Sequence, residues 1–282
     1  MTEDTDNVPF DPALGAVEPH AQLLIAPPAG QILYKIMTIE NLLRSASGRY
    51  LYFNRVDGYK DFPNADPHDG EQLQQDRAAN ATMRFEKAPD FSVADYYDRS
   101  RHRTYACCFS LENSDHIWGE YANGSARGKV GVAFDFAKLR AIVNETVKTG
   151  NGLEYQGVRC KQIFSVNYGI VEYMSWAAAR GNIERMANPI RYTYIKDDNY
   201  AKEHEMRISL SALGIGRYVL ADGTEMEFPP GLQLGFDFQR AIADATITEI
   251  FPGPGCDLDF LRSELGKLGV EAADRGGADG AA

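Results

Sequence analysis

The sequence predicts an α+β domain, and three observations lead to that fold class. Short β-prone runs, such as Ile32 to Ile36 and Arg103 to Ser110, are interleaved with helical segments such as Phe136 to Val147. These elements do not follow the regular strand–helix–strand rhythm of a parallel α/β sheet. The 282 residues are 44% hydrophobic and 24% charged, so a substantial core can form. We therefore expect mixed, mostly antiparallel sheets packed against helices.

The first predicted elements are a strand, a helix and a second strand. Ile32 to Ile36 is β-prone, and Thr38 follows as a helix N-cap, with Glu40 in the first turn where an acid suits the helix dipole. Gly48 is typical of a helix end. The aromatic run Tyr50 to Phe53 predicts the next strand.

The later elements are spaced less evenly. Residues 54–67 form a predicted loop rich in Asp, Asn, Gly and Pro, and residues 70–103, with helical character from Gln72 to Met83, are interpreted as an insertion or a lid. The remaining predicted strands are residues 103–110, 129–135, 158–166, 206–210, 217–220 and 246–251. The remaining predicted helices are residues 115–121, 136–147 and 171–187, and a last one capped by Asp257 that runs to about Leu268.

The two ends of the chain differ from its middle. Residues 1–30 are rich in Pro, Asp, Glu and Ala without sustained periodicity, and residues 271–282 consist largely of Gly, Ala and Asp. Such compositions are typical of segments that do not form a core. The sequence thus predicts a mobile N-terminal tail (1–30), a single α+β domain (31–270) and a disordered C-terminal tail (271–282).

The charge balance and the cysteines exclude several classes of protein. With 29 basic and 40 acidic residues the net charge is −11, so bulk binding of nucleic acid is not expected. No signal peptide and no run long enough to span a membrane is present, which favours a cytoplasmic protein without membrane contact. A zinc site has little support, because metal-ligand spacing is lacking among the cysteines Cys107, Cys108, Cys160 and Cys256.

Chemistry-bearing residues are concentrated around positions 203–210. In a strand, side chains alternate between faces, so Glu203, Glu205 and Arg207 are predicted on one face and Met206 and Ile208 on the other, apolar face. Arg207 can hold one carboxylate with a bidentate contact and leave the other free for chemistry. The alternative is a solvated edge strand whose ion pairs contribute little.

The order of several motifs resembles a large bacterial family of domains of unknown function. The resemblance covers roughly residues 32–270, and its motifs are moderately specific only as a set. They are Tyr34-Lys35, Cys108-Phe109-Ser110, Trp118 with Tyr121-Ala122, Gly128, Phe134-Asp135, Glu203-x-Glu205-x-Arg207 and Ile250 to Pro254.

A more distant similarity is to ADP-ribosyltransferases, whose paired-glutamate motif is similar to Glu203-x-Glu205. By that resemblance Glu205 is the catalytic carboxylate and Glu203 activates the acceptor. Cleavage of the nicotinamide–ribose bond of NAD builds positive charge on the ribose, which a carboxylate stabilises, while a second carboxylate acts as a general base. The resemblance also implies a split sheet and an NAD-binding cleft.

The resemblance assigns further residues to NAD, which would be bound as a substrate. Lys35 stands where the superfamily has His or Arg, and Thr38 stands where the DNA-modifying group has His. Each assigned residue also has a structural reading, such as core packing for the aromatic side chains. The predicted NAD-binding residues are Tyr34, Lys35, Ser110, Trp118, Tyr121 and Arg207.

Three functions stay open at this point. The first is an NAD-dependent ADP-ribosyltransferase or NAD glycohydrolase, such as a toxin or a phage-defence effector, whose acceptor is a protein, a nucleic acid, a small molecule or water. The second is a non-enzymatic regulatory or interaction domain on an enzyme-like scaffold. The third is a metal-dependent nuclease that uses Asp135, Glu203 and Glu205.

Overall fold

A mixed sheet and the helices around it form the framework of the protein, which confirms the predicted α+β class. The computed structural model describes residues 16–62, 65–149, 152–177, 188–213 and 216–270. Within these residues, eleven strands join into one sheet, and three strand pairs lie outside it.

The strands in chain order are β1 (Ala16–Val17), β2 (Ile32–Thr38), β3 (Tyr50–Arg55), β4 (Arg84–Phe85), β5 (Ala88–Ser92), β6 (Thr104–Ser110), β7 (Lys129–Asp135), β8 (Leu153–Tyr155), β9 (Val158–Arg159), β10 (Phe164–Ile170), β11 (Glu172–Tyr173), β12 (Ile195–Lys196), β13 (Glu205–Ala212), β14 (Tyr218–Val219), β15 (Glu225–Met226), β16 (Gly231–Gly235) and β17 (Ile247–Pro252). The α-helices are α1 (Ile39–Gly48), α2 (Gln74–Asn80), α3 (Val93–Arg101), α4 (Asp115–Glu120), α5 (Phe136–Thr149), α6 (Phe238–Ala243) and α7 (Leu258–Lys267). Short 3-10 helices cover Ala21–Leu23, Val56–Asp61, Pro189–Tyr194 and Asp198–Glu203.

The large sheet divides into two arms at β6. The long arm runs β1-β10-β13-β6-β3-β16-β8-β9, and the short arm consists of β2, β7 and β17. β2 pairs with β7 over its whole length, from Ile32 to Thr38, but it pairs with β6 only where Tyr34 lies opposite Ser110. Apart from the parallel β1–β10 pair, neighbouring strands of this sheet are antiparallel. The sheet is therefore split, with one point of contact between the arms.

Helix α1 shows how the sequence sets the frame of the short arm. The Thr38 hydroxyl accepts a hydrogen bond from the backbone N–H of Asn41 at 3.1 Å, as its N-cap position predicts. Ile39 and Leu42 are buried on the inner face of the helix. The chain leaves the helix through Arg49 in the left-handed conformation (φ 53°), one residue after the predicted end at Gly48.

Residues 70–103 pack onto the domain as a small second layer. They form α2, the β4–β5 hairpin and α3, and Ser92 caps α3 with a capping box. Leu73 and Tyr97 from this layer bury themselves against Tyr192 and Ile195. The region is thus a packed insertion with its own apolar cluster.

Two predicted elements differ from the structure. The predicted strand 158–166 is divided between β9 and β10, because Val158–Arg159 pairs with β8 and Phe164–Ile170 pairs with β13. The start of the predicted helix 171–187 is instead the strand β11, which pairs in parallel with β12. Residues 178–187 of that prediction lie outside the described residues.

The N-terminal boundary also differs from the prediction. The composition of residues 16–30 predicts that they belong to the tail, but Ala16–Val17 pairs with β10. The carboxylate of Glu18 binds the side chains of Arg140 and Asn144 on α5. Sheet pairing and a partly buried ion pair therefore extend the domain to residue 16, while residues 1–15 and 271–282 lie outside the described residues.

Candidate functional site

Three predicted site residues come into register where the two arms meet. Tyr34 on β2 lies opposite Ser110 on β6, and Ser110 lies opposite Glu205 on β13. Residues directly opposite each other in a sheet project from the same face. Glu205, the predicted catalytic glutamate, therefore lies beside the last residue of β6, and β6 separates it from β2.

Arg207 lies at the centre of the site and is fully buried (0% exposed). Its Nε and Nη2 donate to the Glu205 carboxylate at 2.7 and 3.0 Å. Its Nη1 and Nη2 donate to Asp69 at 2.6 and 2.8 Å, and Nη1 also donates to the backbone carbonyl of Thr193 at 2.8 Å. These five contacts use all five N–H donors of the guanidinium, so its orientation is fixed.

A second buried cation, Lys196, links the two glutamates. Its Nζ contacts Oε2 of Glu203 at 2.5 Å and Oε2 of Glu205 at 3.3 Å. β12 carries Lys196 and pairs in parallel with β11, whose Tyr173 accepts a hydrogen bond from the backbone N–H of Glu205 at 2.7 Å. This small strand pair thus holds both Lys196 and the start of β13.

Glu203 lies in the site, but it does not belong to the strand that alternation predicted for it. It ends the 3-10 helix Asp198–Glu203, and β13 begins only at Glu205. His204 between them adopts the left-handed conformation (φ 45°), a turn that brings both carboxylates to Lys196. The Ser110 hydroxyl donates to the backbone carbonyl of Glu203 at 2.9 Å and steadies that turn.

The alternative of a solvated edge strand is wrong. β13 lies inside the long arm between β10 and β6, and both of its faces are buried over most of its length. Glu205 is only 4% exposed, and Arg207 is not exposed at all. Charges removed from water in this way require partners, and both Glu205 and Arg207 have ion-pair partners in the contacts above.

The two glutamates have opposite ionisation behaviour. Burial disfavours the charge of Glu205, but Arg207 and Lys196 outweigh burial and hold the pKa of that carboxyl well below its ordinary value. Burial and the neighbouring charge of Glu205 raise the pKa of Glu203, although Lys196 and Tyr121 oppose that shift. Glu205 is thus a fixed anion, while Glu203 is the group that exchanges a proton more readily.

Tyr121 forms the solvent side of the site. It directly follows α4, is 37% exposed and shares a hydrogen bond with the Glu203 carboxylate. Burial and the charges of Glu205 and Glu203 raise the pKa of its hydroxyl above the ordinary value, so it stays protonated and donates to Glu203. Glu203 is therefore the carboxylate of the pair that a solvent-exposed side chain touches.

An open groove is lined by residues of α4 and of the end of β17. Its volume is about 720 Å³, and Trp118 and Phe251 form its aromatic part with their rings 5.7 Å apart. A Cβ at Gly253 would lie 2.0 Å from the Trp118 ring, so only glycine permits this approach of ring and backbone. Tyr34 contacts Phe251 edge-on at 6.5 Å, which connects the groove with β2.

The structure brings together only part of the predicted site. Ser110, Tyr121, Glu203, Glu205 and Arg207 belong to one contact network, with Tyr34 beside it in the sheet. The donors of Arg207 are taken by Glu205, Asp69 and the Thr193 carbonyl, so the described contacts leave none for NAD, and its assignment to NAD stays a prediction.

Lys35 and Trp118 lie apart from this network. The Lys35 Nζ donates to the backbone carbonyl of Cys108 at 2.8 Å and lies over the Phe109 ring. Trp118 lines the groove and donates from its indole nitrogen to Asn113. The contacts of Lys35 are those of a strand-packing residue.

Sequence reasoning missed two members of the network, Asp69 and Lys196. Asp69 lies close to the predicted loop 54–67, where nothing distinguishes it from its acidic neighbours. Lys196 directly follows the β-prone run Tyr192 to Ile195. A lysine at the end of such a run is a usable signal of a buried charge.

A metal centre has no support among the described residues. They contain no group of three His, Cys, Asp or Glu side chains that could hold a metal ion. Asp135 accepts a hydrogen bond from the backbone N–H of Lys138 at the start of α5 and has a structural role there. The nuclease hypothesis therefore lacks its predicted ligand set in this part of the chain.

Comparison of the chain with protein-family models, with curated proteins and with solved structures finds no match. The resemblances to the bacterial family and to ADP-ribosyltransferases therefore stay predictions from the motifs. Among the described residues, no helix is both long enough and apolar enough to cross a membrane.

Proposed function

We propose that the protein cleaves the nicotinamide–ribose bond of NAD, as an ADP-ribosyltransferase or an NAD glycohydrolase. The observation that carries the proposal is the glutamate pair on Lys196. One carboxylate is locked by Arg207, and the other contacts the partly exposed Tyr121. Two carboxylates with separated pKa values are typical of sites that divide electrostatic and proton-transfer roles.

Glu205 is the electrostatic member of the pair. Cleavage of the bond builds positive charge on the ribose, and a carboxylate that is already ionised and rigidly held stabilises that charge without reorganising. The two contacts with Arg207 provide the rigidity. This role requires the ribose to approach from the side of Lys196 and Glu203, since Arg207 occupies the other side.

Glu203 is the proton-transferring member. Its raised pKa brings the carboxyl closer to neutral pH, where a general base is most effective. With Tyr121 it can orient the acceptor, which is water in a glycohydrolase and a protein, nucleic acid or small molecule in a transferase. Ser110 positions Glu203 through its backbone carbonyl.

The charge of the network supports a cationic substrate group. Three buried carboxylates, Asp69, Glu203 and Glu205, surround only two cations, Lys196 and Arg207. The unmatched negative charge favours a positively charged ring such as the nicotinamide of NAD, and aromatic faces bind such cations as well. The groove lined by Trp118 and Phe251 is within the size range of ligand sites, and its lining residues lie outside the charged network.

The test is the loss of NAD turnover when each glutamate is made neutral. Glu203→Gln is expected to lower the rate of nicotinamide release by about 10²- to 10⁴-fold because the proton-transfer group is lost. Glu205→Gln is expected to abolish turnover because it removes the charge that opposes the ribosyl cation. Glu225→Gln on the exposed β15 is the matched control and should keep full activity.

A non-enzymatic regulatory or interaction domain is the second candidate, and the burial of Glu205 against Arg207 favours it. Both oxygens of that carboxylate contact Arg207, and only 4% of the residue is exposed. A domain of this kind would not be stabilised by NAD, whereas an NAD enzyme gains thermal stability with added ligand. Absence of both a thermal shift and nicotinamide release at millimolar NAD would select this second function.

A further inference from the structure

Asp69 enters the site from a distant part of the chain. It lies in the loop before α2, is 2% exposed and binds Arg207 with both oxygens. Asp66 in the same loop is 1% exposed and accepts hydrogen bonds from the backbone N–H groups of His68 and Asp197, at 2.8 and 2.9 Å. Because Asp197 directly follows Lys196, this loop is fastened to the segments of both cations.

The guanidinium of Arg207 is divided between two carboxylates. Asp69 takes the edge formed by Nη1 and Nη2, and Glu205 takes the edge formed by Nε and Nη2. Without Asp69, two donors would lose their acceptors, and only Glu205 and the Thr193 carbonyl would hold the planar group. Asp69 thus helps to fix the edge of Arg207 that faces Glu205.

We propose that Asp69 is a positioning residue of the site, which holds Arg207 against Glu205. This inference rests on the proposed function for its catalytic meaning. The side-chain hydrogen bonds of Asp69 are made with Arg207, and its charge also raises the pKa of Lys196.

The charge of Asp69 also reaches Glu203 through the network. Glu203 is faced by Lys196, Glu205, Tyr121, Tyr173 and Tyr200. Arg207 is faced by Asp69, Glu205, Cys108 and Tyr59. Removal of the Asp69 charge leaves one cation for each glutamate. Glu203 then ionises more readily, so its pKa is expected to fall.

The experiment compares Asp69→Asn with Asp57→Asn. Asp57 is also buried and bound to an arginine, Arg55, but its side-chain contacts are Arg55 and His102, outside the site. Carbon-13 NMR follows the titration of the Glu203 carboxyl without substrate, with Glu203→Gln to assign the signal. We expect Asp69→Asn to lower the titration midpoint by about one unit, and Asp57→Asn to leave it unchanged.

Activity supplies the second readout. Asp69→Asn is expected to lower kcat by about a hundredfold, with a smaller change in KM, and to move the acidic limb of the pH–rate profile downward with the NMR midpoint. Asp69→Glu keeps the charge but displaces the guanidinium, so the midpoint should stay near that of the wild type while kcat falls.

Two results would overturn the inference. One is an unchanged Glu203 midpoint in Asp69→Asn while near-UV circular dichroism reports a folded protein. The other, which decides if Asp69→Asn does not fold, is an Asp69→Glu protein with the kcat of the wild type. Failure of the proposed function is distinguishable, because the wild type would then release no nicotinamide, or Glu203→Gln would keep the turnover of the wild type, while the substrate-free titration still tests Asp69.

Discussion

The two faces of β13 are equally buried but are held by different forces. Met206, Ile208 and Leu210 pack into the main apolar core, and each is fully buried. Glu205 and Arg207, on the opposite face, are buried to nearly the same degree within a network of charges. Alternation therefore identifies which side chains share a face, but it does not reveal whether a charged face meets water.

The difference lies in how each face tolerates change. Apolar contacts are non-directional, so a smaller side chain loses contact area in proportion to its size. The charged face depends on complete pairing, because a buried ion without its partner retains its desolvation cost. We expect substitutions on the two faces to differ in magnitude and in their dependence on pH.

The largest expected effect is on the charged face. Arg207→Met should destabilise the protein by about 3–5 kcal/mol, since Asp69 would remain buried without a counter-ion and Glu205 would keep only Lys196, which it shares with Glu203. Chemical denaturation of the purified variant measures this change in the free energy of unfolding.

A combined variant tests whether unpaired buried charge causes this loss of stability. When Asp69, Glu205 and Arg207 are all replaced by Leu or Met, no uncompensated charge of this group remains, and the stability should return to at least that of the wild type. A combined variant that stays as unstable as Arg207→Met would contradict this account of the network.

The apolar face should respond less strongly. Ile208 is fully buried in the core, and Ile208→Val removes one methylene group without leaving a polar atom unpaired. We expect a loss of about 0.5–1.5 kcal/mol, with no change in the pH dependence of unfolding. A loss as large as that of Arg207→Met would erase the distinction between the two faces.

The smallest expected effect is a difference between Glu203 and Glu205 in how each changes stability with pH. The folded state raises the pKa of Glu203, so its contribution to stability declines as pH rises from the ordinary value of 4.5 through the raised one. The folded state lowers the pKa of Glu205, so its contribution is lost as pH falls below 4.5. The stability of the wild type relative to Glu203→Gln should therefore fall with rising pH, and relative to Glu205→Gln it should rise. Equal slopes in the two comparisons would show that the carboxylates are not differentiated.

Local signals in the sequence predicted much of the fold. Thr38 and Asp257 cap α1 and α7 as expected, and the runs that became β2, β6, β7 and β17 were found within a few residues of their bounds. The error at residues 171–177 has a tertiary cause, because parallel pairing with β12 makes Glu172–Tyr173 a strand.

The candidate site was predictable only where its residues are adjacent in sequence. Glu203, Glu205 and Arg207 form a motif, and Ser110 and Tyr34 could be linked to it by resemblance. Asp69 and Lys196 become neighbours of that motif only through the fold. The conformation of His204 was also beyond prediction, since a strand pattern assigns it an extended backbone.

The contact between Asp69 and Arg207 spans 138 residues of chain, which has a consequence for biosynthesis. A ribosome releases Asp69 and Tyr121 long before Lys196, Glu203, Glu205 and Arg207. A nascent or truncated chain that ends before position 196 therefore carries Asp69 and Tyr121 but neither Lys196 nor the glutamate pair. The complete network forms only after most of the polypeptide has been made and its long-range contacts have closed.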